Sequence, residues 1–359
     1  MMNNKILLLP GDGVGPEIMS ETVKLLDYFI DNNIIDIVYE YADIGGVAID
    51  NHGDPFPDDT FEKAKSSQAI LLGAVGTKKH DKNENIMKPE SGLLALRKKL
   101  DLYINLRPIF IFQNLIDKSS LKPDVIKDID LVIVRELVSD IYFGEPRGFI
   151  EDNKSAFNTM RYTEFEVERI TEYAIKLSKM RKGRITSVDK ANVLETSQLW
   201  RRCVDDIVSK QSEVTVNHMY IDNAAMQLVH SPNQFDVILT GNLFGDILSD
   251  EASMLTGSIG MLPSASLSDN HAVYEPIHGS APDIAGKNLV NPIAMILSMG
   301  MMFEYSFDRK DLSDTIKSIV NKVLNSNKFT RDLSNSSEYV TTSEMGDLLL
   351  DELVRNVKK

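Results

Sequence analysis

Residues 235–253 read FDVILTGNLFGDILSDEAS. FDVILTGN is an apolar run that closes on a turn, the pattern of a buried strand leading into a loop. The adjoining LFGDILSD is mostly apolar and carries a glycine before its first acid. A helix starting near Gly245 sets Asp246 and Asp250 on one face, one turn apart. Two neighbouring carboxylates repel unless a positive group lies between them, and a hard divalent cation such as Mg²⁺ or Mn²⁺ suits oxygen ligands. On spacing alone the simpler reading is the stronger one, with Asp246 an N-terminal helix acid and Asp250 a solvated one.

The same alternation extends outward in both directions. ITSVDKAN (185–192) is another strand running into a loop. Strands are also predicted at residues 5–9 (KILLL), 69–76 (AILLGAVG), 105–112 (NLRPIFIF) and 130–137 (DLVIVREL). Between them lie helical patterns. Pro16-Glu17 opens the first, because proline is preset for the first helical turn and an acid there suits the dipole. SGLLALRKKL (91–100) comes next, then the amphipathic FEVERITEYAIKLSKMRKG (165–183), which stops at Gly183. NPIAMILSMGMMF (291–303) predicts a buried helix behind an Asn cap, and TSEMGDLLLDELVRNV (342–357) a terminal amphipathic one. Strands alternating with helices define an α/β chain.

The 359 residues suffice for about two domains. The balance of 39 basic against 53 acidic residues gives a net charge of −14, which argues against general affinity for nucleic acid or an anionic membrane. A few local arginines can still reverse the sign of a pocket. The lone cysteine, Cys203, forbids an intrachain disulfide and fits a reducing compartment, hence a cytoplasmic location; its side chain reads as a small semi-buried apolar group. MMNNKILLLPGDG reads as a first strand and not a signal peptide, and no run approaches the roughly 18 apolar residues of a membrane span.

Several cations sit among apolar residues: Arg97 after LLAL, Arg107 in NLRP, Arg135 at the end of VIVR and Lys190 in SVDKAN. Each is individually compatible with a surface charge. Arginine at strand ends also grips carboxylates with a bidentate fork, and several together suit a di-anionic substrate. In EPIHGSAPDIAGKNLVNP (275–292), the turn His278-Gly279-Ser280-Ala281 presents backbone N–H groups that suit a pyrophosphate, and Asp283 could accept from ribose hydroxyls. A plain glycine turn into a helix is the equal alternative. GDGVGP is neither G-x-G-x-x-G nor a Walker motif, so Rossmann and P-loop assignments are disfavoured.

Six segments in order, LLPGDGVGPEI, SGLLALRKKLDLYINLRP, VRELVSDIYFGEPRG, SVDKANVLE, NLFGDILSDEASMLTGSIGMLPSASL and EPIHGSAPDIAGK, together resemble the isocitrate/isopropylmalate family of β-decarboxylating dehydrogenases. The resemblance implies an isopropylmalate dehydrogenase-like two-domain α/β fold with a mixed parallel/antiparallel sheet, not a Rossmann fold. It implies a discontinuous cofactor-binding domain, 1–103 with 257–359, and a dimerisation and substrate/metal domain, 104–256. It further implies a homodimer whose active sites are shared between subunits.

By that resemblance Arg97, Arg107 and Arg135 hold the carboxylates of a substituted malate. Tyr142 donates a proton to the enol carbon, and Lys190, from the partner subunit, removes the C2 hydroxyl proton with Asn192 nearby. Asp222 of the neighbouring chain completes a metal shell with Asp246 and Asp250 and touches substrate. Glu90, Leu93 and Leu94, with Val193 opposite, form the substrate wall of the isopropylmalate branch, which would leave a third carboxylate unpaired. Glu275, His278, Gly279, Ser280, Ala281, Asp283, Ile284 and Asn291 fall to the cofactor. Phosphate-preferring relatives carry Lys and Tyr in place of Asp283-Ile284, so NAD is expected. The implied reaction is NAD-dependent oxidative decarboxylation of 3-isopropylmalate to 4-methyl-2-oxopentanoate, a leucine precursor, with Mg²⁺ or Mn²⁺.

One segment departs: GAVGTKKHDKNEN (73–85) stands where the family usually has GAVGGP-K-W-D. The alternatives are a sibling enzyme acting on D-malate, tartrate or homoisocitrate, and, more remotely, a regulatory subunit that has lost the acid or base. The apolar Leu93 and Leu94 argue against the first, and the intact Tyr142, Lys190 and three aspartates against the second.

Overall fold

The computed structural model describes residues 4–80, 82–83, 87–334 and 336–357. Part of the departing loop, residues 81 and 84–86, lies outside them. The chain divides into two compact units: 1–101 with 112–118 and 256–359, and 102–111 with 119–255.

In the first unit the strands are β1 (Lys5–Gly11), β2 (Val38–Tyr41), β3 (Ala69–Ala74), β11 (Pro263–Leu267) and β12 (Ala272–Pro276). Their order is β2-β1-β3-β12-β11. β1 pairs parallel with β2 and β3, β3 parallel with β12, and only β12–β11 is antiparallel. The apolar LLL of β1 and ILL of β3 are buried completely, as strands covered on both faces require. Helices α1 (Gly15–Asp31), α2 (Gly46–His52), α3 (Asp58–Ser66) and α4 (Pro89–Lys99) belong to this unit. So do α10 (Ile293–Phe307), α11 (Lys310–Asn325) and α12 (Thr342–Val357). The first eleven residues of α10 are buried all round, as its unbroken apolar sequence predicts. Asn291 Oδ1 accepts from Ile293 N at 3.0 Å, so the expected Asn cap is present.

The second unit carries β4 (Ile104–Phe110), β5 (Asp130–Glu136), β8 (Arg184–Asp189), β9 (Thr215–Tyr220) and β10 (Val237–Thr240), ordered β4-β5-β10-β8-β9. Here β4–β5 is antiparallel and the remaining pairs are parallel. A separate antiparallel ribbon joins β6 (Gly148–Ile150) to β7 (Ser155–Phe157). The helices are α5 (Pro123–Ile126), α6 (Glu164–Lys179), α7 (Glu195–Val208), α8 (Ile221–His230) and α9 (Asn242–Ser253). α6 opens with a full capping box, Thr163 and Glu166 satisfying each other's backbone N–H. It ends four residues before Gly183. α9 starts at Asn242, three residues earlier than the glycine pattern indicated. Cys203 is buried on α7, as expected. No described helix is long and apolar enough to cross a membrane.

Candidate active site

The strand register aims the two arginines of the second unit. Arg135 on β5 stands opposite Asn105 on β4, and Arg107 lies two residues beyond Asn105. With side chains alternating along a strand, Asn105, Arg107 and Arg135 share one face. Helix α9 supplies the complementary stripe: Asn242, Asp246, Ser249 and Asp250 recur at i, i+4, i+7 and i+8.

Arg135 is 1% exposed. Its Nε and Nη2 both donate to Asn242 Oδ1, at 3.0 and 2.7 Å, and Nη1 donates to Asp246 Oδ1 at 2.5 Å. Arg107 Nε donates to Asn105 Oδ1 at 2.8 Å, and Nη1 to Ser249 Oγ at 2.5 Å. Arg107 also lies 3.4 Å from Asp246 and 3.5 Å from Asp250. The stem of Arg135 rests on the helix at Gly245, where an added Cβ would come within 2.7 Å of Arg135 Cγ. A glycine is therefore needed there for close approach.

Tyr142 reaches the same carboxylate from the short turn Asp140–Tyr142, its hydroxyl donating to Asp246 Oδ2 at 2.6 Å. Burial, and then the hydrogen bond to Asp246, push the phenol up from its ordinary value. It therefore stays protonated at neutral pH, as a proton donor must. Asp140 is held at φ 71°, a sparsely populated conformation for a residue with a side chain. Its Oδ2 accepts from Leu243 N at 3.0 Å, while the Tyr162 hydroxyl accepts from Asn242 N at 2.8 Å. These two side chains cap α9 and fix its entry onto the arginines. Buried Glu136 accepts from Val138 N and Ser139 N, and burial pushes its carboxyl up to about 7.

Asp246 and Asp250 present hard oxygen donors one turn apart. The Asp250 carboxyl is pushed up, mainly by burial and further by the Asp246 charge, against the pull of Arg107. A divalent cation would relieve that repulsion, so the donor set fits one. Among the described residues of one chain, no three acidic, histidine or cysteine side chains gather into a metal cage. Asp222 accordingly stands in a different group. It lies on α8 and accepts from Lys190 Nζ at 2.5 Å. Lys190 follows β8, its backbone N donating to Ser197 Oγ. Asn192 and Val193, just beyond, are exposed.

In the first unit Arg97 donates to Glu275 Oε1 at 2.7 Å, with both side chains nearly buried. The expected carboxylate-binding arginine is thus paired with an expected cofactor residue. Leu93 and Leu94 are half-buried on α4, while Glu90 is exposed. Glu90 Oε1 and Ser280 Oγ lie 3.1 and 3.2 Å from where a Gly76 side chain would begin, so α4, the end of β3 and the 278–283 turn converge. The GDG turn holds this cluster. Asp12 accepts from Gly46, Val47 and Gly76 N at 2.8 Å each, and Val14 N donates to Ser280 O at 2.9 Å. Gly13, at φ 57°, leaves no room for a Cβ beside Ser280 O.

His278 Nδ1 is 2.9 Å from Gly279 O, but its buried Nε2 has no partner among the described residues. An orphaned polar atom beside an exposed turn fits a dinucleotide that supplies the missing hydrogen bond. Asp283 is exposed and accepts from Lys78 Nζ at 2.7 Å. Ala281 adopts φ 39°, and Ile284 N donates to Ala281 O at 3.1 Å. Asn291 is buried. Besides capping α10, it donates through Nδ2 to Asp332 at 3.1 Å, so its amide is used within the fold.

Sequence reasoning missed Asn242, Ser249, Asp140, Glu136, Tyr162, Asp12 and Lys78. Only the GDG triplet offered a local signal, an acid between two glycines.

The chain belongs to the isocitrate/isopropylmalate dehydrogenase family, whose profile matches residues 5–349. It is 52% identical over 358 residues to the 3-isopropylmalate dehydrogenase of Prochlorococcus marinus, covering 98% of this chain and 100% of that one. It is likewise 52% identical to the 3-isopropylmalate dehydrogenase of Hydrogenovibrio crunogenus, with the same coverage. Among solved structures, the isocitrate dehydrogenase from Methylococcus capsulatus superposes with a TM-score of 0.87 at 31% identity, covering 98% of this chain and 99% of that one. The β-decarboxylating dehydrogenase from Thermococcus kodakarensis does so at 0.80 and 32%, covering 100% and 98%. The α/β fold with a mixed sheet is that of this family.

Proposed function

We propose that the chain catalyses the NAD-dependent oxidative decarboxylation of 3-isopropylmalate to 4-methyl-2-oxopentanoate, the step that supplies the leucine precursor. The observation that carries this reading is the constellation on α9. Two buried arginines, a protonated phenol and a paired carboxylate stand within hydrogen-bonding reach of one another, in a chain about half identical over its full length to 3-isopropylmalate dehydrogenases.

Arg107 and Arg135 offer fixed guanidinium forks to a carboxylate. Arg97 does the same from α4, and the half-buried Leu93 and Leu94 give the isopropyl group an apolar neighbour. Lys190 takes the proton of the C2 hydroxyl. Loss of carbon dioxide breaks the C3–carboxylate bond and leaves its electron pair in an enolate, and Tyr142 delivers a proton to C3. Asp246 and Asp250, with Asp222 of a second copy, would hold Mg²⁺ or Mn²⁺, and the 275–284 turn would hold NAD. When bound, these groups respectively polarise the C2 oxygen and accept the C2 hydride.

A homodimer is part of the proposal. Lys190 and Asp222 form a group of their own, and exposed apolar residues cluster on α8 and around α9: Met226, Val229, Ile247 and Met254. Such a face suits burial against a second copy. We place the reaction in the reducing cytoplasm, consistent with a single buried cysteine.

The test is NADH formation on 3-isopropylmalate, D-malate, isocitrate and tartrate, with and without chelator. Fastest turnover on 3-isopropylmalate, lost on chelation, is expected. Faster turnover of isocitrate would overturn the substrate assignment, and none on any substrate with Mg²⁺ would favour a regulatory subunit.

A further inference from the structure

The backbone around Lys190 is held from α7. Lys190 N donates to Ser197 Oγ at 3.0 Å, and Gln198 Nε2 donates to Ala191 O at 3.2 Å. Val193 N and Leu194 N both donate to Lys190 O at 3.0 Å. None of these contacts directs the four-carbon stem of Lys190, which is flexible in itself. At its tip lie Asp222 Oδ1, 2.5 Å from Nζ, and the ring of Tyr220, whose centroid is 6.0 Å from Nζ. Tyr220 ends β9 and stands opposite Asp189 in the parallel register with β8, beside the step from Asp189 to Lys190. It also immediately precedes α8, two residues before Asp222.

The ring is itself braced. Arg201, one turn after Ser197 on α7, places its guanidinium carbon 4.7 Å from the Tyr220 centroid. Its Nε donates to Asp189 Oδ2 at 2.6 Å. Asp189 is 2% exposed, and its Oδ1 accepts from Ala191 N at 2.8 Å. His218 lies farther from Asp189, at 3.8 Å, and pairs instead with Asp205 at 2.9 Å.

We propose that Tyr220, braced by Arg201 on the buried Asp189, is a positioning residue that confines the Lys190 ammonium to the arc where it can meet the C2 hydroxyl. This role rests on Lys190 being the base, as given under Proposed function. The negative face of an aromatic ring attracts an ammonium within about 6 Å of its centroid, so the ring narrows the range of the stem. The guanidinium stacks on the same ring, and the carboxylate that holds its Nε is packed in the fold and cannot swing. A displacement of about 1 Å at a reacting group can cost up to about a hundredfold in rate, so a weak restraint has a large effect here.

Arg201→Met would strand the buried Asp189 carboxylate, so the partly exposed Tyr220 carries the test. Tyr220→Leu, Tyr220→Phe and Lys190→Met are compared with the wild type as intact chains with Mg²⁺. Steady-state NADH formation is measured on 3-isopropylmalate and on the same substrate deuterated at C2. Tyr220→Leu should lower kcat about tenfold, with the KM for NAD⁺ and the Mg²⁺ dependence within about threefold of wild type. Its deuterium effect on kcat should match or exceed that of the wild type, because the slowed step is at C2. Tyr220→Phe keeps the ring face and should recover most of the lost kcat. Wild-type kcat in Tyr220→Leu overturns the proposal. So does a Tyr220→Phe variant as slow as Tyr220→Leu, which would assign the effect to the hydroxyl. A changed Mg²⁺ dependence at unchanged kcat also overturns it, by placing the action of the ring on Asp222 instead of Lys190. If Lys190→Met is inactive while Tyr220→Leu turns over normally, the role of Tyr220 alone falls. If Lys190→Met keeps wild-type turnover, the assignment of the base falls and that of Tyr220 with it.

Discussion

Tyr142 and Asp246 share a hydrogen bond of 2.6 Å, which joins the side chain assigned to deliver a proton to the one assigned to a cation. Because Asp246 Oδ1 is meanwhile held by Arg135, the carboxylate is fixed in orientation and the phenol in direction, each carboxylate oxygen carrying two lone pairs. Tyr142→Phe should therefore fold, at a cost of about 1 kcal/mol for one hydrogen bond. It should lose roughly 100- to 10,000-fold in steady-state turnover, the usual worth of a positioned acid. Urea titration and NADH assays measure the two effects separately; wild-type turnover would remove Tyr142 from the proton-donor role.

Lys190 holds the Asp222 carboxyl below its ordinary range, through a direct bond. A folded-state value lowered in this way favours the folded protein above the unfolded carboxylate range, and the benefit is lost as pH falls through the folded value. The pair is exposed and contributes little to stability, so the main consequence is catalytic. Lys190→Met should abolish hydride transfer, by at least about 100-fold, while NAD⁺ affinity measured by calorimetry stays near wild type. Normal turnover in that variant would refute the assigned base.

Gly245 separates two opposing effects. Alanine would gain about 1 kcal/mol of helix propensity. Its Cβ, however, would sit 2.7 Å from Arg135 Cγ and 2.8 Å from Arg135 Cβ, both packed against the sheet and unable to yield. Overpacking of that kind costs about 1–3 kcal/mol, so the clash wins. Gly245→Ala should lower thermal stability and raise the KM for substrate by displacing Arg135. A stabilised variant with unchanged KM would show that the helix can shift away.

Glu136 predicts a pH dependence of opposite sign to Asp222. Its folded value, raised to about 7 from 4.5, means that the folded state binds a proton more tightly than the unfolded one. Its contribution is full below the unfolded value and is lost as pH rises through 7. At about 1.4 kcal/mol per unit, the loss is about 3 kcal/mol. Urea unfolding at intervals from pH 4.5 to 8 should show this decline in the wild type and a flatter profile in Glu136→Gln; parallel profiles would assign the slope to other groups.

Local patterns made the scaffold legible in the sequence. Apolar runs gave β1, β3, β5 and β10, and uniform hydrophobicity gave α10. VIVR placed Arg135 at a strand end, and DILSD placed two carboxylates on a helix face. The features that escaped depend on contacts between distant parts of the chain. Asn242 meets Arg135 across 107 residues, and Asp140 caps α9 across 103. No periodicity encodes either contact. The start of α9 was displaced to Gly245 for the same reason: its first N–H groups are satisfied by Tyr162 and Asp140, not by a neighbouring cap residue. The resemblance assigned Asp283 a role, but Lys78 falls in the segment where this chain leaves the family's run, and the two meet across 205 residues.

The pairing of β3 with β12 has a consequence for biosynthesis. During translation β1, β2 and β3 emerge within the first 74 residues, yet the far edge of β3 is completed only when residues 273 and 274 arrive. The second unit, encoded wholly in between, can close its own strands first. For the time needed to synthesise about 200 residues, roughly 10 to 40 seconds at usual bacterial and eukaryotic rates, the nascent amino-terminal strands present an open apolar edge. That edge, at AILLGA, is where a ribosome-associated chaperone would find the longest-lived exposed strand of the first unit.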